Sequence, residues 1–119
     1  MPYGASLLYS RGKTMAFIAV NNSTFSIGTT PITLSEQKLN NYSERIRLII
    51  TNTSTASQVI SIAVDGNPVA NSGIVLNAGG SIAWSKDNGN LPIQQLRVNA
   101  IASAVSGSVA IYEEVLNRG

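Results

Sequence analysis

Apolar and polar residues alternate along most of the chain, and Ile and Val dominate the apolar positions, which is the pattern of half-buried β-strands. The clearest run is Arg45 to Thr51, where strict alternation sets Ile46, Leu48 and Ile50 on one face and Arg45, Arg47, Ile49 and Thr51 on the other. Gln58 to Val64 repeats the period, and Asp65-Gly66-Asn67-Pro68 ends it in a tight turn, because Gly and Asn tolerate positive φ and Pro cannot donate to a ladder. Gly73 to Leu76 and Ser81 to Ser85 predict a hairpin across Asn77-Ala78-Gly79-Gly80. The polar stretch from Lys86 to Pro92 predicts an exposed loop. Two more strands follow: Gln94 to Ala100, with Leu96 and Val98 inward and Arg97 and Asn99 outward, and Ser108 to Glu113. Ahead of Arg45 the pattern predicts short strands over Met15 to Val20, Thr24 to Ile27 and Pro31 to Leu34, with a crossing loop or helical turn from Ser35 to Tyr42.

Roughly seven to nine short strands at about 8–12-residue spacing predict an all-β fold, a single-domain antiparallel β-sandwich, with the jelly roll as one of its forms. The first dozen residues carry little periodic pattern. The organisation expected is therefore an N-terminal arm over residues 1–13 and a sandwich domain over 14–119.

A chain of 119 residues fits one core. Charged residues are only 12% of it, against roughly 25% in an average soluble domain, and Ser, Thr, Asn, Gly and Ala stand in their place. A weakly charged exterior favours association. The net charge of +2 is dispersed, so neither nucleic acid nor an anionic membrane is expected as a partner. Apolar runs of about five to seven residues fall far short of a membrane-spanning helix, and the N-terminus lacks the basic and apolar regions of a secretory signal.

With no His and no Cys, the chain lacks triads, thiol nucleophiles, His-containing zinc sites and the usual neutral-pH base. No pair among Glu36, Glu44, Asp65, Asp87, Glu113 and Glu114 has a glycosidase pattern, and Glu113 and Glu114, adjacent on a strand, point to opposite faces. The expectation is a non-enzyme with no cofactor and no metal site. Arg45, Arg47 and Ile49 fall in one outward row and Arg97 projects similarly; they form a solvated face or a subunit interface, while a nucleic-acid contact, the third reading, lacks a basic cluster or interleaved aromatics. Trp84, the only Trp, is either a core residue or an aromatic contact for a ligand. Asn-x-Ser/Thr sequons begin at Asn21, Asn22, Asn41 and Asn52.

Read together, Arg45-Ile-Arg-Leu-Ile-Ile-Thr-Asn-Thr-Ser54, Gln58-Val-Ile-Ser-Ile-Ala-Val-Asp-Gly66 and Gly73-Ile-Val-Leu-Asn-Ala-Gly-Gly-Ser-Ile-Ala-Trp84 resemble small β-sandwich structural and decoration proteins of phages and icosahedral archaeal viruses. The resemblance runs from about Arg45 to Tyr112. It departs at Asn77-Ala78, where Pro often precedes the glycines, and the N-terminal third matches nothing in the group. It implies a virion structural protein: a capsid decoration, vertex (penton) or spike-base subunit, made in the host cytoplasm and placed at the capsid surface. Its partners would be copies of itself in a homo-oligomer and other capsid proteins. The alternative is a glycan-binding, lectin-like sandwich, which needs an exposed aromatic such as Trp84.

Overall fold

The computed structural model describes residues 5–9, 15–38, 43–55, 57–86 and 96–118, with side chains described for 17–38, 43–55, 57–86 and 96–117. Among the described residues nine strands carry the fold: β1 Ala5–Tyr9, β2 Met15–Ile27, β3 Ile32–Ser35, β4 Ser43–Asn52, β5 Ile60–Val64, β6 Ile74–Leu76, β7 Ser81–Ser85, β8 Val98–Ala102 and β9 Gly107–Arg118. They form one five-stranded sheet, β1-β2-β9-β4-β7, and one four-stranded sheet, β3-β8-β5-β6.

All pairings are antiparallel, and those beyond β1 nest: β5 with β6, β4 with β7, β3 with β8 and β2 with β9. That is a chain folded in half at the β5–β6 connection, the resulting double ribbon then wrapped so that successive pairs fall alternately in the two sheets. Two further ladders, β4 with β9 and β5 with β8, close the sheets. The result is a jelly-roll sandwich, the architecture the strand spacing predicts.

The core lies between the sheets. Ile27, Leu48, Ile50, Trp84, Val109 and Ile111 face it from the five-stranded sheet, and Leu34, Ile60, Ile62, Leu76, Val98 and Ala100 from the other. Trp84 therefore packs in the core, as Leu48 and Ile50 do on the neighbouring strand. Every fully buried Ile or Leu of this set stabilises the fold by about 1.5–3 kcal/mol relative to exposure.

Several strands are longer than the pattern predicts. Met15 to Ile27 is one strand of 13 residues, because its polar centre, Asn21-Asn22-Ser23, keeps its ladder with β9, where it pairs with Ile111, Tyr112 and Glu113. Backbone pairing needs no apolar side chains, and the same holds for Ala5–Tyr9. Those five residues, expected within an N-terminal arm, pair with Met15–Ala19 as the edge of the five-stranded sheet; residues 1–4 and 10–13 lie outside the described residues. At about 3.3 Å per residue β2 is roughly 43 Å long and the five-residue strands of the second sheet roughly 16 Å. The larger sheet thus runs well past the described strands facing it.

Asn52 ties the two halves of the ribbon together. It is fully buried, and its amide donates to Gln58 O and Leu76 O, both at 2.9 Å, while its Oδ1 accepts from Ser54 N at 3.0 Å. Its backbone also pairs with the β6–β7 turn through Gly80 O and Gly79 N at 2.8 Å. The sequon at Asn52 is consequently closed to modification in the folded chain, whereas Asn22 is exposed.

Close by, at the start of β9, the chain leaves no room at Gly107. A Cβ there would lie 2.8 Å from Ala102 Cβ and 2.8 Å from Ile27 O, whereas one at Gly28 would meet nothing within 4 Å. Gly107→Ala should destabilise by about 1–3 kcal/mol, and Gly28→Ala should stay within about 0.5 kcal/mol of the parent. Urea denaturation of the two variants checks the contrast.

Candidate functional site

Two bulges, one in each sheet, decide which polar residues enter the interior. In β4 the register with β9 steps from Arg45↔Val115 to Arg47↔Glu114, leaving Ile46 as the extra residue. Alternation from Leu48 would point Arg45 outward; the bulge reverses it, and Arg45 is fully buried. In β3 the register with β8 steps from Thr33↔Asn99 to Ser35↔Val98 across Leu34, which turns Ser35 inward as well.

These two residues meet Glu113, whose phase on β9 matches that of Val109, Ile111 and Val115. Arg45 Nε donates to Glu113 Oε2 at 2.9 Å, and its Nη2 donates to Ser35 Oγ at 2.6 Å and Glu36 O at 3.1 Å. Arg45 Nη1 donates to Leu96 O at 3.0 Å. Ser35 Oγ in turn donates to Glu113 Oε2, and Lys38 Nζ lies 3.9 Å from Oε1. Burial by itself pushes the Glu113 carboxyl up, but the hydrogen bonds from Ser35 and Arg45 and the charges of Lys38 and Arg45 outweigh it. The net effect holds it below the usual glutamate range. A carboxylate so fully engaged is neither a free base nor an open ligand. The cluster joins strands of both sheets and acts as a lock.

The outer face of the five-stranded sheet holds a different set. Register places Asn22, Tyr112, Ile49 and Ala83 in one cross-strand row, Val20, Glu114, Arg47 and Ser85 in the next, and Ile18, Leu116 and Glu44 in a third. Ile18, Val20, Ile49, Tyr112 and Leu116 are half-buried. The charges among them are paired: Arg47 Nε lies 3.4 Å from Glu114 Oε1, Tyr112 donates to Glu114, and Glu44 accepts from Lys86 at 2.9 Å. Acceptance by Glu114 first, then burial and the Glu114 charge, raise the Tyr112 hydroxyl above the ordinary tyrosine value despite Arg47.

Of the residues expected at an interface, Arg47 and Ile49 share this face. Arg45 does not, because the Ile46 bulge places it inside, and Arg97 stands exposed beside β8 of the other sheet. Trp84 is 92% buried in the core and offers no aromatic platform, which corrects its reading as a ligand contact. The lock's acid was legible as a carboxylate in the apolar phase of β9, but its partners were not: a bulge leaves no mark in an alternating sequence. Ile18, Val20, Tyr112 and Leu116 join Ile49 only through ladders between distant segments. Among the described residues no group of three or more His, Cys, Asp or Glu forms a metal-binding cluster, and no helix is long and apolar enough to cross a membrane.

No family model matches the chain, and no curated protein matches it. Among solved structures it is similar to the subunit of Bacillus endospore appendages, described as a family of disulfide-linked pili, with 11% identity over 93% of each chain and a TM-score of 0.55. It is also similar to a capsid chain of Helicobacter pylori bacteriophage KHP30, with 7% identity over 96% of this chain and 93% of that one and a TM-score of 0.45. An RmlC-like cupin from Shewanella frigidimarina follows, with 12% identity over 94% and 76% and a TM-score of 0.39. At 11% identity the likeness to the appendage subunit is one of fold alone.

Breaking the lock on one side leaves a buried charge, so Arg45→Met should cost about 3–5 kcal/mol, most of it recovered by adding Glu113→Leu. The pH dependence follows from the depressed Glu113 pKa. The pair's contribution is complete above the unfolded-chain value of about 4.3 and is lost as the pH falls through the lower folded-state value. Thermal melts from pH 6 down to pH 2 should show a falling midpoint below about pH 4.3, with a shallower fall in Glu113→Gln.

Proposed function

We propose that this chain is a structural subunit that packs against copies of itself through the outer face of its five-stranded sheet, and that its place is the surface of a virion. The observation that carries this reading is the apolar content of that face. An antiparallel sheet with one solvated side normally keeps it polar, whereas here Ile18, Val20, Ile49, Tyr112 and Leu116 lie on it.

The occupant that fits is a second copy. Glu114 is matched by Arg47 and Glu44 by Lys86 within the face itself, so two such faces meet without like-charge repulsion. A self-complementary patch is what a two-fold contact requires, and Tyr and Arg are the side chains such contacts favour. The polar chemistry points the same way: the buried carboxylate is spent on Arg45 and Ser35, inside the fold. Within this reading the chain serves as a capsid decoration, vertex or spike-base subunit, with other capsid proteins as further partners and synthesis in the host cytoplasm, as its resemblance to small virion proteins implies. It performs no catalysis.

Light scattering coupled to size-exclusion chromatography tests the reading. The full chain should elute above its monomer mass of 12.5 kDa at micromolar concentration. Ile49→Lys should return it to monomer with its thermal midpoint kept, and Val69→Lys, at an exposed site far from the face, should not. A parent that stays monomeric at every concentration, or an Ile49→Lys variant with unchanged mass, overturns it.

A further inference from the structure

The β5–β6 connection, where the chain folds back on itself, also builds a pocket. Together with the start of β3 and β8 it borders an open pocket of about 330 Å3 lined by Pro31, Ile32, Thr33, Asn67, Arg97 and Asn99. That is the low end of small-molecule sites and the size of one sugar ring rather than of a nucleotide.

Its walls are held in place. Asn99 is buried; its Oδ1 accepts from Thr33 Oγ1 at 2.9 Å and its Nδ2 donates to Gly66 O at 2.7 Å. Asp65 N donates to Arg97 O at 2.7 Å, and Asp65 itself sits in the left-handed region at φ 58°. A non-glycine residue held there, pinned on both sides, keeps the rim of the pocket fixed, and such outliers concentrate at binding sites.

Two polar groups in this pocket remain open. Lys38, Arg45, Arg47 and Lys86 are each in an ion pair, whereas Arg97 has none among the described residues. The Asn67 amide likewise has no partner there. Arg97 offers the planar fork that binds a carboxylate through two parallel hydrogen bonds. Asn67 and the Thr33 hydroxyl suit sugar hydroxyls, and Ile32 and Pro31 supply an apolar wall for a pyranose C–H face. Phosphate fits less well, since it is usually held by several backbone N–H groups or more than one cation.

We infer that this pocket binds an acidic monosaccharide, a hexuronate or sialate, with its carboxylate on Arg97 and its hydroxyls on Asn67 and Thr33. The inference goes beyond the assembly reading and uses no part of the outer face, so either can fail alone.

Saturation-transfer NMR on the full chain tests it in any oligomeric state. The probes are glucuronate, N-acetylneuraminate, glucose and acetate. One of the acidic sugars should bind with millimolar affinity, glucose and acetate should bind about tenfold or more weakly, and Arg97→Gln should remove the signal with the thermal midpoint unchanged. Arg97→Lys should restore it only in part. Equal binding of acetate would make this a simple anion site, equal binding of glucose would remove Arg97 from recognition, and no binding by either acidic sugar would leave no site. Each of these three results overturns the proposal.

Discussion

The sandwich depends on one buried ion pair that a regular pair of sheets would not form. Arg45 and Ser35 would both point away from the core if β4 and β3 alternated without interruption. A single extra residue in each strand, Ile46 and Leu34, turns them inward onto Glu113. The pair is costly to bury, and the structure offsets that cost by satisfying the guanidinium through Glu113, Ser35, Leu96 O and Glu36 O together. Because these partners come from both sheets and from the segments beside them, the cluster fixes how the sheets sit on each other, which apolar packing alone specifies less sharply. Asn52 does the same where the ribbon crosses between sheets, through polar contacts to Gln58, Leu76 and the β6–β7 turn.

Much of the architecture was legible in the chain. Alternation located the strands from Arg45 onward except for the run expected over Gln94 to Ala100, where the strand is Val98–Ala102 and Leu96 and Arg97 precede it; turn residues marked the β5–β6 and β6–β7 connections, and strand spacing led to a sandwich. Trp84 could be placed on the face of Ile82, but alternation says nothing about what lies beyond a face, so burial had to come from the structure. Arg45 was assigned outward for a different reason: a bulge inverts phase, and nothing in Arg-Ile-Arg-Leu announces it. Asn99 and Ser61, polar and in the outward phase, are buried because the β5–β6 connection folds over them, with Asn99 bonded to Gly66 O and Ser61 accepting from Asn71 N. Long-range coverage of that kind has no local signature. Arg47 and Ile49 were placed correctly on an outer face, yet their neighbours Val20, Tyr112 and Leu116 follow only from strand order.

The buried polar chemistry of this protein serves its structure. The Glu113 carboxylate is locked inside, the outer sheet face neutralises its own charges, and Arg97, which has no ion pair among the described residues, stands at a small pocket on the opposite sheet. In the proposed reading the two sheets serve separate tasks, the outer face of the five-stranded sheet meeting copies of the chain and the pocket of the other sheet taking a ligand.

The face-to-face contact is the central claim, and the lack of native cysteine makes it directly measurable. Ile49→Cys and Val69→Cys, each a single thiol in the full chain, would be treated with a short bismaleimide cross-linker and resolved under denaturing conditions. The account predicts covalent dimers from Ile49→Cys whose yield falls as the protein is diluted before the cross-linker is added, and none from Val69→Cys. No cross-link at Ile49, or equal cross-linking at both positions, would contradict it.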